Sequence, residues 1–149
     1  MSKINVLLLG SGGRECALAW KMKESDLLGR LYIAPGNAGT ASLGQNLPML
    51  NPLNFEQVGT VALDLDIDML VVGNEDPLVA GITDYFKSQG DLKHIKVVGP
   101  SKAGAQLEGS KDFAKDFMNR HGIPTAAHIS VTAQNIHEGF DFLEKQQVL

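Results

Sequence analysis

The chain has a single cysteine, Cys16, among 149 residues, so no internal disulfide can staple it. A lone thiol of this kind fits a reducing compartment. Positive charge is not in surplus either: 13 Lys and Arg face 17 Asp and Glu, a net charge of −4. No broad basic surface for nucleic acid is implied, although local basic groups can still hold a small anion. Long apolar runs are missing. Only six residues separate Lys3 from Gly10, too few for a membrane span or a signal peptide, and the expected location is cytoplasmic with no membrane partner. The four histidines, His94, His121, His128 and His137, are scattered without the spacing of a metal site or a catalytic triad. Repeats and low-complexity stretches are absent.

What is present is ordinary for a globular protein: 44% hydrophobic and 20% charged residues. The length suits one domain, or one domain and part of another. Ile4–Leu9 is a continuous apolar run closed by Gly10, as expected of a strand buried on both faces. Arg14–Glu24 reads as a helix, Leu31–Ala34 as a second strand, and Pro48–Leu50 as a short third one. Asn54 is a candidate N-cap for a helix to about Leu65, with Gln57 three residues on. Asp68–Gly73 reads as a buried strand, Pro77 opens a helix to about Ser88, and Lys96–Gly99 is the last strand of the series. Alternating strands and helices predict an α/β fold: a Rossmann-like parallel sheet with helices on both faces. Right-handed crossovers then gather the loops at Gly10, Pro35, Gly73 and Gly99 on one sheet edge, where open α/β sheets bind ligands. Beyond Pro100 the spacing predicts helices over Ser101–Glu108 and Lys111–Arg120, the latter capped by Ser110. A strand is expected over Ala127–Val131, a helix over Glu138–Gln146, and the start of another strand at Val148-Leu149. The expected organisation is an α/β substrate-binding domain over 1–103, then the incomplete start of a second domain over 104–149.

GSGGRECA, residues 10–17, joins a strand to a helix. Glycines admit close backbone approach, the helix N-terminus offers free N–H groups, and Arg14 can add a bidentate contact to phosphate. A tight turn with no ligand is the plain alternative. A dinucleotide fingerprint is disfavoured: Glu15 stands where G-x-G-x-x-G needs its third glycine, and the second strand ends at Ala34-Pro35-Gly36 with no carboxylate for a ribose. No G-K-[ST] follows, so a Walker loop is excluded. Glu15 is suited either to accept from a ligand hydroxyl or amine, or simply to sit in the helix dipole. The loop Pro35–Thr40 offers backbone donors, the Asn37 amide and the Thr40 hydroxyl, or is a plain surface loop. Glu75 and Asp76 can accept from sugar hydroxyls or merely favour a helix start. Lys102 can reach a phosphate or stay solvated. Cys16 reads as a small buried residue rather than a reactive thiolate.

GSGGRECA with ALAWK, PGNAGT, VVGNEDPLVAGI and GPSKAGAQLEGSKDFAKDFMNRHGIPTA, in that order, resemble the glycinamide ribonucleotide synthetase (phosphoribosylamine–glycine ligase) family of the ATP-grasp superfamily. The resemblance covers essentially the whole chain. It implies a pre-ATP-grasp domain followed by the truncated start of an ATP-grasp domain. It also implies an ADP-forming C–N ligase of purine biosynthesis, acting on the small molecules phosphoribosylamine and glycine with ATP and Mg²⁺. On the matching positions it assigns phosphoribosyl contacts to Gly12, Gly13, Arg14, Glu15, Gly36, Asn37, Gly39, Thr40, Glu75, Asp76 and Pro77, and an ATP contact to Lys111. It assigns no catalytic residue and no metal ligand to these 149 residues, so a fragment without ligase activity is expected, and it leaves the oligomeric state open. Two positions depart from the family pattern: Cys16 replaces a histidine and Asn74 a proline. A stand-alone sugar-phosphate module, or another ATP-grasp ligase of the same pathway, is the alternative.

Overall fold

The computed structural model describes residues 3–146. It falls into two compact units, Met1–Gly109 and Ser110–Leu149. In the first, β1 (Ile4–Gly10) leads into α1 (Gly13–Lys23), β2 (Leu28–Pro35), a 3-10 turn (Thr40–Ser42) and β3 (Gln45–Asn46). Then follow α2 (Phe55–Asp64), β4 (Met69–Val72), α3 (Glu75–Ala80), α4 (Ile82–Ser88), β5 (Lys96–Val98) and α5 (Lys102–Gly109). The five strands form one sheet in the order β3-β2-β1-β4-β5, every pair parallel. This is the α/β architecture that the alternating pattern predicts.

The first strand in the chain is the middle strand of the sheet, which is why it reads as an unbroken apolar run. Leu9 pairs with Ala34 on one side and Val72 on the other. Strand side chains alternate between faces. Val6 and Leu8 pack with Leu31, Ile33, Val71 and Ala19 of α1. Leu7 and Leu9 pack with Tyr32, Ala34 and Leu70 under Val58 of α2, Phe86 of α4 and Ala105 of α5. Burying each leucine fully contributes about 1.5–3 kcal/mol. With α1 on one face and α2 to α5 on the other, the winding reverses between β1 and β4. The crevice at that switch point, beyond the carboxyl ends of the strands, is where doubly wound sheets bind ligands.

Local expectations in the first unit need correction. Pro48–Leu50 is not a strand: β3 is Gln45–Asn46, paired with Tyr32 and Ile33. The ladder ends where the Leu47 N–H donates to the Ile33 carbonyl at 2.8 Å, and Leu50 then closes a turn back onto Leu47; Pro48 has no N–H to extend it. The helix expected from Pro77 to Ser88 is two helices. Gly81, at φ +107°, adopts a left-handed conformation that no right-handed helix continues through. It also starts earlier, at Glu75, leaving Pro77 in the first turn, where a missing N–H costs nothing. Asn54 does cap α2, accepting from the Gln57 N–H at 3.1 Å.

The second unit contains α6 (Lys111–Arg120) and α7 (Ile136–Lys145). The Ser110 hydroxyl caps α6 by accepting from the Phe113 N–H. Lys115 donates to the Thr125 hydroxyl at 2.6 Å and the Ala126 carbonyl at 2.8 Å. Ala127–Val131 forms no strand; a strand requires a ladder partner, and no β-ladder is present among the described residues of this unit. Neither helix has a buried residue. Ile136, Phe140 and Leu143 instead line an open apolar concavity of about 450 Å³ with Ile129 and Val131. The strand expected at Val148-Leu149 lies outside the described residues.

Candidate functional site

A polar cleft of about 400 Å³ opens at the switch point. Its walls are Gly10, Ser11, Gly12, Gly13, Arg14 and Glu15 from the β1–α1 turn, Asn74 and Glu75 from the β4–α3 turn, and Pro35 and Pro52. Gly10 leaves β1 at φ +133°, a conformation that L side chains rarely adopt, and this bends the chain sharply into the helix. Gly12 is the N-cap of α1. The N–H groups of the first helical turn have no partner within the helix and face outward along its axis.

Arg14 and Glu15 take different directions from this turn. The Arg14 guanidinium donates to the Gly73 carbonyl at 2.7 Å and lies 4.0 Å from the Glu75 carboxylate. Its side chain is 61% exposed, so most of its five donors still face solvent. Glu15 folds inward and is 3% exposed. Its Oε2 accepts from the Gly12 N–H at 2.6 Å. The two residues bind the β1–α1 turn to the β4–α3 turn, one by a hydrogen bond to the Gly73 carbonyl and the other by packing against the Gly73 α-carbon.

The loop after β2 is organised by Asn37. Its amide donates to the Ser11 carbonyl at 2.8 Å and the Gly12 carbonyl at 3.2 Å. Its Oδ1 accepts from the Gly39 and Thr40 N–H groups at 2.7 and 3.0 Å. Thr40 is fully buried; its hydroxyl accepts from the Asn37 N–H and donates to Asn46 Oδ1, both at 2.8 Å. The Gly36 N–H donates to the Gly10 carbonyl at 3.2 Å. These side chains are used within the loop, and they fasten it to the glycine turn. Cys16 packs here too, half-buried rather than buried as expected: a β-carbon on Gly39 would lie 2.9 Å from its sulfur.

The structure therefore brings Gly12, Gly13, Arg14, Glu15 and Glu75 onto one cleft. Gly36, Asn37, Gly39 and Thr40 are not in its lining and brace it from β2. Asp76 is exposed in the first turn of α3, and Pro77 is buried beneath it. Lys111 is the exposed first residue of α6, in the second unit. Lys102 is outside the lining; its N–H is capped by Asp84 Oδ2 at 2.6 Å. Two lining features went unnoticed in the sequence. Pro52 contributes a wall, and Asn74 Oδ1 is buried without a hydrogen-bond partner. Only the departure of Asn74 from the family pattern signalled that position.

Together these features define a class: a doubly wound, all-parallel α/β domain whose polar cleft sits at the switch point, with one arginine and a helix N-terminus at its mouth. Residues 4–108 match the family model described as phosphoribosylglycinamide synthetase, N domain, and the chain belongs to that family. It is 44% identical over 142 residues to a phosphoribosylamine–glycine ligase of Clostridium acetobutylicum, covering 95% of this chain and 32% of the relative. It is 47% identical over 134 residues to a bifunctional purine biosynthetic protein of Schizosaccharomyces pombe, covering 87% of this chain and 16% of the relative. Among solved structures it resembles the phosphoribosylamine–glycine ligase of Thermotoga maritima, with a TM-score of 0.60 and 30% identity over 93% of this chain and 30% of that one. The chain thus spans a third or less of the length of these relatives.

Proposed function

We propose that the first unit is the sugar-phosphate-binding domain of an ATP-dependent ligase that joins glycine to 5-phosphoribosylamine. The observation that supports this best is the convergence at one cleft of complementary groups. Outward N–H groups of the first turn of α1 and the half-free Arg14 guanidinium suit a phosphomonoester. The Glu75 carboxylate and the unpartnered Asn74 Oδ1 suit hydroxyl or amine donors. In this reading Gly12, Gly13 and Arg14 meet the phosphate, Glu75 meets the ribose, and Glu15 acts through the turn it holds. Gly36, Asn37, Gly39 and Thr40 fix the wall behind them, while Asp76 and Pro77 set the start of α3.

ATP and Mg²⁺ belong to the longer protein in this proposal. Among the described residues no three His, Cys, Asp or Glu side chains come together as metal ligands, and only Lys111 is assigned to the nucleotide. Bound ATP would activate the glycine carboxylate by phosphorylation, ready for attack by the amine. The 149 residues alone are expected to show no ligase turnover, and the location proposed is cytoplasmic. No helix among the described residues is long and apolar enough to cross a membrane.

Titration of the 149-residue chain with ribose 5-phosphate, followed by amide NMR, tests the site. Shifts are expected at residues 12–15 and 36–40, and they should be lost in Arg14→Ala. Saturable shifts confined to other residues would overturn the assignment.

A further inference from the structure

The glycines of the switch point leave a hollow, and the chain itself fills it. A β-carbon on Gly10 would lie 2.5 Å from Glu15 Cγ and 2.9 Å from its Oε2. One on Gly12 would lie 3.0 Å from Oε2, and one on Gly73 would lie 2.5 Å from Oε1. Three residues from two turns thus lack side chains around one buried carboxylate. In dinucleotide-binding turns the glycines at this point admit a diphosphate, which then binds to the backbone donors of the turn. Here the Gly12 N–H already donates at 2.6 Å to an internal anion, the carboxylate of Glu15, a residue only 3% exposed.

We infer that Glu15 is a specificity-determining residue: its carboxylate occupies the glycine hollow and so shuts diphosphate-bearing cofactors out of the switch point. The exclusion works twice. The side chain takes the volume, and its negative charge repels a second anion across a few ångströms of low-dielectric interior. Phosphate is left with the outer donors, the first-turn N–H groups and Arg14, where one phosphate fits and a buried diphosphate does not. The inference does not rest on the ligand proposed above, because it concerns the floor of the cleft rather than its mouth.

The probe is inorganic pyrophosphate, titrated into the 149-residue chain while the Gly10, Gly12 and Gly73 amides are followed by NMR. In the wild type the Gly10 and Gly73 amides are expected to stay still. Glu15→Ala empties the hollow and frees the Gly12 N–H; it is expected to bind pyrophosphate at least about tenfold more tightly, the worth of one charge-assisted hydrogen bond, with shifts at all three amides. Glu15→Gln keeps the volume and the bond from Gly12 but loses the charge, so its gain should be smaller than that of the vacated variants. Glu15→Ser, which empties the hollow but leaves a hydroxyl at the turn, replaces the alanine variant if that does not fold. Wild-type shifts at Gly10 and Gly73 would overturn the inference, as would a gain in neither vacated variant or an equal gain in Glu15→Gln. Gly10 and Gly73 lie outside the residues at which the ribose 5-phosphate titration is read, so either result can fail without the other.

Discussion

Replacing Gly73 by alanine tests the packing of the cleft floor directly. Gly73 does not have a positive φ, so its backbone accepts alanine without strain. The obstacle is steric: the new methyl would lie 2.5 Å from Glu15 Oε1, 2.6 Å from Cγ and 2.8 Å from Cδ. The chain then has two courses. It can keep the carboxylate in place and absorb overpacking strain of about 1–3 kcal/mol. Or it can expel the carboxylate and lose its bond to the Gly12 N–H, about 1.5–3 kcal/mol for a charged acceptor. The cheaper course sets the cost, so the expected loss is about 2 kcal/mol in urea unfolding of the 149-residue chain, followed by far-ultraviolet circular dichroism. In a Glu15→Ala background the methyl has room, and most of that cost should vanish, a coupling of about 1–2 kcal/mol. Gly13→Ala is the control: a β-carbon there meets nothing within 4 Å, and the change should be neutral or slightly stabilising. If Gly73→Ala costs under about 0.5 kcal/mol, or costs as much without Glu15 as with it, the account of the hollow fails.

Two further outcomes follow from the same structure. Leu8→Ala removes a fully buried side chain from the central strand and should cost about 2–5 kcal/mol by urea unfolding; a loss below about 1 kcal/mol would contradict the two-sided burial of β1. Asn37→Ala removes four hydrogen bonds that its side chain makes around the loop. It should cost about 1–3 kcal/mol and speed hydrogen exchange at Gly39 and Thr40; unchanged exchange at both amides would show that the loop does not depend on Asn37.

The sheet was legible because burial on both faces writes itself into composition. β1 and β4 read as apolar runs bounded by Gly10 and Gly73, and the helices between them follow from their caps and spacing. What escaped reading depends on distant partners. β3 is two residues held by Tyr32 and Ile33, so nothing local marks Gln45–Asn46 as a strand. Ile129 and Val131 alternate as strand residues do, but alternation makes no ladder without a neighbour. The glycine cluster pointed to the edge where the candidate cleft lies, and the missing third glycine turned the reading away from a dinucleotide. The conformation of Glu15 was not legible, because the hollow that receives it is completed by Gly73, at the end of the neighbouring strand and distant in sequence. Nor was the buried Asn74 oxygen, whose lack of a partner is a property of the folded cleft.

The position of β1 also sets a timetable for synthesis. The middle strand is made before the other four strands of its sheet, and β2 follows soon after to cover one edge. Its other edge, pairing Val6 with Met69 and Leu9 with Val72, waits until β4 has been made. Until then the β1–β2 pair exposes a row of unmet peptide groups and the apolar side chains of Leu7 and Leu9. An open edge of this kind recruits chaperones or wrong partners, and closing it across so long an intervening segment slows folding. The nascent chain is therefore most vulnerable in the interval before Met69–Val72 emerge, and the same stretch of synthesis that closes this edge delivers Asn74 and Glu75, the last walls of the cleft.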